Sequence, residues 1–574
     1  MPRTPKTIGS ISQEGLPQRD SPGDHGVRGP DYRWLTLVAM CFAVFIAMLD
    51  NLVVNVALAQ IQHRLHATIS GLQWVIAIYT LAFGCSLLTF GTVGDRWGRK
   101  KLFIAGVALF LVSSAACASA ANVGELVVFR GIQGIAGAMF FPMTLAIIRH
   151  AYPGRKDGTM ALGVWSIAGG AAVTVAPLIG GALVDTFDWR AVFLVNLPVG
   201  AVGLLLAARY VTESKSRTPV NMDPGGQAAA AVAFGSLIYS LIEGNQLGWT
   251  STSVIAGLAV GALSLAVLII LEVRADSPMF NISIFKRIDL VASNAATFFL
   301  FFSVFALLFF VSIFLQEVRG YSAFHAGLRF LPATLGIAAA APLASLLSVK
   351  LGSRVPIVSG FALMAAAVAL LTRVGQTTSY TQYWWVLMIL GLGTGLVLVP
   401  SSANVLDALP ADGAGVAGAT VTASRELGGA FGIGILGAVL IGQMGSSIGL
   451  RLAAVHVPVA LRQGFVHLIV NDALDGSVPG GGSNPAAALA RSSFVTGMHL
   501  ALGVGAAVLT VAGAISYFGL GSSNRDMATA GPHPLEEPFG VGDEAMANHP
   551  QLSNHPQFPN HPVLAIDPGA TERS

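Results

Sequence analysis

Fourteen stretches of this chain are each long and apolar enough to cross a lipid bilayer as a helix, and no other property constrains its fold so tightly. A hydrocarbon core about 30 Å thick takes about 20 residues of α-helix to span. The stretches fall at 34–60, 70–93, 102–121, 123–148, 159–184, 190–210, 225–243, 252–272, 290–315, 327–348, 356–373, 384–406, 415–442 and 494–520. They predict an all-α polytopic membrane protein. Composition agrees, since 54% of the 574 residues are hydrophobic and only 11% charged, whereas a soluble domain carries about a quarter charged residues. An ordinary water-soluble enzyme is thereby excluded.

Charge placement sets the orientation. The balance of 32 basic and 29 acidic residues, +3 in all, gives no bulk field toward a nucleic-acid partner. The 33 residues before the first span are polar and carry Arg3, Lys6, Arg19, Arg28 and Arg33. They are too long and polar for a cleaved signal peptide, so the first span is expected to stay as an anchor. With both termini inside, 22 basic residues lie in inner tails and loops and seven in outer segments (Arg64, Arg190, Arg319, Arg373, Arg451, Arg462 and Arg491). Arg130, Arg329 and Arg425 fall within spans. Retention of positive charge on the cytoplasmic side therefore predicts cytoplasmic termini and an even span count. Cys41, Cys85 and Cys117 all lie in apolar runs, where they read as small buried hydrophobes rather than disulfide partners or metal ligands.

The chain repeats itself. GDRWGRKKLFIAG at 94–106 aligns with SVKLGSRVPIVSG at 348–360, an offset of 254, and GIAGAMFFP ending at Pro142 aligns with LGTGLVLVP ending at Pro400, an offset of 258. Two nearly equal offsets predict duplicated six-helix bundles facing each other across a midplane site, a transporter architecture. The expected organisation is a cytoplasmic tail at 1–33, a first bundle at 34–210, two linker spans and their loops at 211–289, and a second bundle at 290–520. A largely irregular external loop is expected at 443–493, around GSVPGGGSNP. The tail at 521–574, with NHP three times around His549, His555 and His561, is expected to be disordered rather than metal-binding.

Ionisable groups inside a membrane are costly, so each is a functional candidate. Asp50 lies in the middle of the first span, on a stripe with Ala43, Ala47, Val54 and Ala57 that admits neighbouring helices. Desolvation favours the neutral form of a carboxylate, as a proton carrier requires; the competing role is a fixed ion pair or hydrogen bond. Arg130 and Gln133, three residues apart, share a helix face followed by Gly134 and Gly137. Either they line a pathway or they brace an acid such as Asp50. Arg425 stands alone on a small-residue stripe of Gly418, Thr422, Gly429 and Gly432, with Glu426 about 100° further round the helix. Glu243 ends the seventh span beside Ser236 and Ser240, and Glu272 ends the eighth; proton coupling and interfacial anchoring are the alternatives for Glu243. Glu125 and Glu317, near span ends, read as surface residues.

Two segments suggest moving parts. The loop GTVGDRWGRKK at 91–101 joins glycines, Asp95 and a basic cluster, and either anchors the cytoplasmic face by charge or latches it through Asp95. In the fifth span Gly163, Gly170, Thr174, Pro177 and Gly181 form one face of small residues ending in a proline, suited to close packing that can rock or bend. GIGILG at 432–437 matches a dinucleotide fingerprint in letters only, having no strand before it. No P-loop, GxSxG or HExxH occurs, and His499 stands alone in its span. Neither direct use of ATP nor an intramembrane hydrolase is expected.

These residues resemble the fourteen-helix drug/proton antiporters of the major facilitator superfamily, the EmrB/QacA type, along about residues 34–520. GTVGDRWGRKK resembles the superfamily's loop motif through Gly91, Asp95, Arg96, Gly98, Arg99 and Lys100. RGIQGIAGA is similar to the fourth-helix motif through Arg130, Gln133, Gly134 and Gly137, and LDNLVVNVALA to the first-helix motif through Asp50, Asn55, Ala57 and Leu58. WRAVFLVNLPVG at 189–200, GYSAFHAGLRFLP at 320–332 and APLIGG at 176–181 extend the likeness, the last through Pro177, Gly180 and Gly181 on the same helix as Gly170. The chain departs from the pattern at Ala176, where glycine is usual, and at Leu52 and Ala59, where threonine and proline are common.

The resemblance implies a major facilitator fold of two six-helix bundles plus two inserted helices, and proton-driven export of amphipathic, often cationic drugs or antibiotics by alternating access. It implies a bacterial plasma membrane, with which the alanine- and glycine-rich composition agrees. The expected partners are a small-molecule substrate, protons and lipid, with no cofactor beyond the proton gradient and no obligatory protein partner. Asp50 would carry the proton or cation, Arg130 would assist its transfer, the Asp95 loop would gate the cytoplasmic side, and the Pro177 helix would limit leak. The alternatives are a dedicated exporter of one metabolite, lipid or endogenous antibiotic, or a proton symporter.

Overall fold

Polar residues at the breaks between apolar runs start and stop the helices. Thr68 accepts the Gly71 N–H at 3.1 Å and opens α2 (Ile69–Trp97), ending α1 (Arg33–Leu65) through His66 in the left-handed region. Asn122 accepts the Glu125 N–H at 2.9 Å, Glu125 accepts the Ala121 N–H at 2.9 Å, and this reciprocal cap starts α4 (Val123–Ala151). Asp223 and Ser322 cap α8 (Pro224–Leu247) and α11 (Ala323–Leu351) by accepting the Gly226 and His325 N–H groups. The remaining helices are α3 (Arg99–Ser119), α5 (Arg155–Thr186), α6 (Ala191–Leu194), α7 (Asn196–Tyr210), α9 (Thr252–Arg274), α10 (Ile288–Ile313), α12 (Arg354–Leu371), α13 (Trp384–Asp407), α14 (Ala414–Ala454), α15 (Val459–Asp472) and α16 (Pro485–Gly519). A π-helical turn, Phe314–Val318, prolongs α10.

This computed structural model describes residues 32–215, 223–274, 287–407, 414–472 and 485–520, all within one compact unit, Met1–Ser523. Residues 1–31 of the N-terminal tail, the GSVPGGGSNP stretch up to 484 and the NHP tail from 521 lie outside the described residues. Among the described residues fourteen helices are long and apolar enough to cross a membrane, α6 and α7 together making one, and the regular structure is helical throughout. The chain is a multi-pass membrane protein.

One expected boundary shifts. The segment 443–493 is mostly helical where it is described, because α14 runs on to Ala454, α15 follows, and α16 starts at Pro485. Met444, Ile448 and Leu452 recur every four residues and are buried, and Val466 of α15 lies against Gly445 and Gly449. Glycines, serines and Arg451 lower the mean hydropathy there without breaking the helical period.

The duplication is visible in the packing. In the first bundle α4 lies along α2 and α3, while α1 meets α5 and α7; in the second α13 lies along α11 and α12, while α10 meets α14 and α16. Between bundles α2 packs on α14 and α5 on α11, two contacts that exchange under the same correspondence. Small residues permit the approach. A Cβ on Gly134 of α4 would come within 2.5 Å of the Tyr79 carbonyl on α2, and one on Gly395 of α13 within 2.7 Å of the Ile337 carbonyl on α11. Of the two inserted helices, α8 leans on α2 and α14, and α9 packs chiefly on α8.

Polar contacts join the bundles mainly at the end where α1 finishes, called the far end. Ser312 Oγ donates to the Asn55 carbonyl at 2.6 Å, Gln316 Nε2 to the Val56 carbonyl at 3.0 Å, and His63 Nε2 lies 3.0 Å from Glu317 Oε1. Gln73 Nε2 donates to the Ile433 carbonyl at 3.1 Å. The Asp185 carboxylate, on the last turn of α5, accepts the Ala323 and Phe324 N–H groups at 3.1 and 3.0 Å, where an acid meets the positive end of α11. Asp185→Ala is expected to speed amide hydrogen exchange at Ala323 and Phe324 by about tenfold, the loss of about 1.4 kcal/mol of charge-assisted bonding, with exchange in α4 unchanged. Equal exchange at those two amides in both proteins counts against this clasp.

Toward the other end the same face of α5 opens. Gly181 abuts the α11 backbone at Ala323 and Phe324, whereas Gly170 and Gly163, on the same face, have nothing within 4 Å of a built Cβ. The small-residue stripe is thus close-packed only at its Pro177–Gly181 end, and α5 and α11 diverge toward the end where α1 begins.

Candidate functional site

A charge in the middle of α1 has no water to solvate it, and the surrounding sequence supplies partners instead. Asp50 is fully buried. Its Oδ2 accepts Arg130 Nη1 from α4 at 2.5 Å, and its Oδ1 accepts Gln133 Nε2 at 3.0 Å and Asn196 Nδ2 from α7 at 2.7 Å. Ser114 on α3 completes the ring, since its Oγ accepts from Gln133 at 3.2 Å and Asn196 at 3.0 Å and donates to the Phe193 carbonyl at 2.9 Å. Arg130 Nη1 also reaches Gln133 Oε1 at 2.9 Å, its Nε donates to the Val75 carbonyl of α2 at 3.2 Å, and its guanidinium stands 4.1 Å from the Tyr79 ring centroid.

All three contacts to the carboxylate come from donors, the pattern of an ionised acid, which only accepts. A proton on Oδ2 would turn an acceptor into a donor facing Arg130 Nη1 and break that bond. Because Arg130 also holds α2 through Val75 and Tyr79, such a break is felt on the helix that packs against the second bundle. Burying an ion pair costs several kcal/mol per ion before any return from attraction, so the pair is poor evidence of a stabilising device and good evidence of a functional one.

The residue after Asp50 faces the other bundle. Asn51 Nδ2 donates to Glu426 of α14 at 3.1 Å (Oε2) and 3.4 Å (Oε1). Glu426 is buried, and Arg425 Nε approaches its Oε1 at 3.4 Å while the guanidinium lies 4.7 Å from the Phe301 ring. Consecutive residues of α1 therefore bind an arginine in one bundle and an acid in the other. The repeat offset of 254 carries Asp50 to Val304 and Ser114 to Val368, and in the second bundle Ser303, Leu307, Phe310, Val368, Leu436, Ala501, Leu502 and Gly505 line a cavity with no ionisable group.

The structure brings together Asp50, Arg130 and Gln133, and separately Arg425 and Glu426. It sets Glu243 apart from both, where its Oε1 accepts Trp74 Nε1 at 2.7 Å and ties α8 to α2. In the 91–101 loop Asp95 pairs with Arg99 at 2.7 Å. Glu213, just past α7, accepts the Lys100 and Lys101 N–H groups at 3.0 and 3.2 Å, and Lys100 Nζ donates to the Ala208 carbonyl at 2.9 Å. Gly98 sits at φ +126°, where a Cβ would press on the Glu213 carboxylate at 2.8 Å; Arg96 is exposed and Gly91 has open space around it. The bonds found for this loop stay within the first bundle, so in this conformation Asp95 does not latch the second.

Ser114, Asn196, Asn51 and Asp185 escape a reading aimed at charges within spans. Asn196 lies inside the quoted WRAVFLVNLPVG, and Asn51 adjoins Asp50, the only signals they offer. Among the described residues no three His, Cys, Asp or Glu side chains gather to hold a metal, and no metal centre is assigned.

Comparison with known proteins places this geometry. The chain is 34% identical over 527 residues to the multidrug resistance protein Stp of Mycobacterium tuberculosis, covering 90% of this chain and 97% of that one. It is 34% identical to the tetracenomycin C resistance and export protein of Streptomyces glaucescens, covering 86% and 92%. A bacterial homologue of the human lysosomal transporter Spinster, solved in an inward-facing, unoccupied conformation, superposes with a TM-score of 0.62 at 18% identity, over 87% of this chain and 99% of that one, and shares the fold. Residues 40–433 match the Major Facilitator Superfamily profile, and with its duplicated bundles and full-length relatives the chain belongs to that superfamily of membrane transporters.

Proposed function

We propose that this protein exports amphipathic drugs or antibiotics across a bacterial plasma membrane in exchange for protons, by alternating access to a site between its bundles. The observation that carries the reading is the buried Asp50–Arg130 pair, one residue away from the Asn51–Glu426 bond that crosses to the second bundle. Protonation at Asp50 breaks its bond to Arg130 and loosens α1 from α4, while Arg130 keeps its hold on α2. Substrate bound between the bundles and a proton at Asp50 then compete through the same helix. The two relatives named for resistance support the substrate class. The positive-inside distribution supports a reading in which the open side of α5 and α11 faces the cytoplasm, where an exporter collects its cargo.

Everted membrane vesicles with an acidified lumen and a pH-sensitive dye test this. Lipophilic cations and antibiotics are added in turn, and several of them are expected to discharge the gradient in vesicles holding the protein and not in empty ones. The relative named for tetracenomycin C favours a second reading, a dedicated exporter of one antibiotic, in which a single compound class is active. No discharge by any compound, with folded protein in the vesicles, removes proton antiport of these substrates.

A further inference from the structure

At the far end of the second bundle two arginines stand without an acid. Among the described residues neither Arg319 nor Arg329 forms an ion pair, and the nearby carboxylates are engaged, Glu317 with His63 and Asp185 with the α11 amides. The Arg329 guanidinium lies 3.5 Å from the Tyr321 ring centroid and 5.2 Å from that of Tyr380, and Arg319 lies 5.8 Å from Tyr321. Tyr380 Oη donates to the Arg329 carbonyl at 3.1 Å, Arg319 Nη1 donates to the Gln376 carbonyl, and the Tyr380 and Tyr383 rings meet at 5.3 Å. These bonds tie the start of α11 to the loop between α12 and α13. They leave the Nε atoms of both arginines and the Tyr383 hydroxyl buried without a hydrogen-bond partner, and Tyr383 is only 4% exposed.

Cation–π contacts hold a guanidinium in place but do not neutralise it. Two such charges beside the positive end of a 29-residue helix create a local field that the Tyr321 phenol registers: hydrogen bonding from Arg319, with Arg329 adding to it, pulls its pKa below the usual tyrosine value. Burial pushes the Tyr383 phenol up to about 12, so it remains a proton donor. Three unsatisfied donors and two positive charges call for an anion with several acceptor oxygens.

Depth indicates where the anion comes from. Arg329 is two residues into the apolar stretch that begins at 327, about 3 Å of helix rise, and the polar band of a bilayer is about 5–7 Å thick on each side. Trp384 and Trp385, next to Tyr383, are 42% and 41% exposed, as aromatic residues at the headgroup level commonly are.

We propose that Arg319, Arg329 and Tyr383 form a binding site for a phosphoryl oxyanion, supplied by a phospholipid headgroup of the far-end leaflet or by free phosphate. An occupied site cross-links the α11 start to the α12–α13 loop beside the Asp185 clasp, and so weighs on the opening of the far end. The site needs only that the chain spans a membrane, and stands independently of proton antiport.

The test uses the full chain in detergent, with native mass spectrometry to count bound lipid and thermal unfolding to follow occupancy. Dioctanoyl phosphatidylglycerol, uncharged dioctanoylglycerol and inorganic phosphate are the probes. Wild type is expected to retain phosphatidylglycerol saturably and to unfold at a higher temperature with it, whereas Arg329→Gln and Arg319→Gln bind about tenfold or more weakly, as the loss of a charge-assisted bond predicts. Tyr383→Phe removes an unbonded hydroxyl, leaves the fold intact and binds several-fold more weakly. Stabilisation by inorganic phosphate alone identifies the free anion as a ligand; stabilisation by the lipid alone identifies the headgroup. Equal phosphatidylglycerol binding by wild type and Arg329→Gln overturns the proposal, as does equal binding by Tyr383→Phe where Arg329→Gln does not fold, or equal retention of the uncharged lipid.

Discussion

Asp50→Asn is expected to abolish substrate-driven proton exchange while leaving the chain inserted and folded. The asparagine has nearly the shape of the aspartate, and its Oδ1 still accepts Gln133 Nε2 and Asn196 Nδ2, which lie 3.0 and 2.7 Å from the native oxygen. Its amide cannot take up a proton, and in the Oδ2 position it sets a donor against Arg130 Nη1, 2.5 Å from the native oxygen. Arg130 keeps the Val75 carbonyl, Gln133 Oε1 and the Tyr79 ring, so the stability cost is about 3 kcal/mol, the low end for a buried pair that has lost one member. In everted vesicles the dye signal should fall to the background of empty membranes for every active compound. Substrate binding, followed by quenching of protein fluorescence, should persist. Proton exchange at the wild-type rate in correctly inserted Asp50→Asn protein would remove Asp50 from the coupling step.

Why the sequence reveals Asp50 and Arg130 but not their companions is a matter of cost. A charge in an apolar run is expensive wherever it sits, so it stands out before any partner is known. Asn196 and Ser114 are cheap residues whose importance comes only from meeting Asp50, and Asn196 is 146 positions away in the chain. Helix spacing sets Arg425 and Glu426 about 100° apart, but it is Asn51, from the opposite bundle, that gives Glu426 its hydrogen bond. Spans are legible from length and hydropathy, and the duplication from Gly137 and Pro142 recurring as Gly395 and Pro400. The helical run past residue 442 is hidden because a mean over glycines, serines and Arg451 conceals the buried Met444, Ile448 and Leu452. Conformation is not legible at all: the α5 stripe reads as one packing surface, yet only its Pro177–Gly181 end is in contact.

Arg130→Met is expected to destabilise the protein by about 3–5 kcal/mol, because removing one member of a buried pair leaves the other charge without a counter-ion. Gln133 and Asn196 still donate to Asp50, but neither carries charge, and the methionine fills the space beside Tyr79 without a polar atom that can reach the carboxylate. Combining it with Asp50→Asn removes both charges, and the double variant should recover most of that loss. Thermal unfolding of the four proteins in detergent gives the coupling energy, expected to exceed about 2 kcal/mol for side chains in direct contact. Additive single effects would show that the 2.5 Å contact is energetically idle. All three variants should be inactive in the vesicle assay. A double variant that is stable yet inert separates the two roles of the pair, since a neutral interior then suffices to hold α1, α4 and α7 together. What the buried charges add is a bond that a single proton can break, placed on the helix that also grips Glu426 in the other bundle.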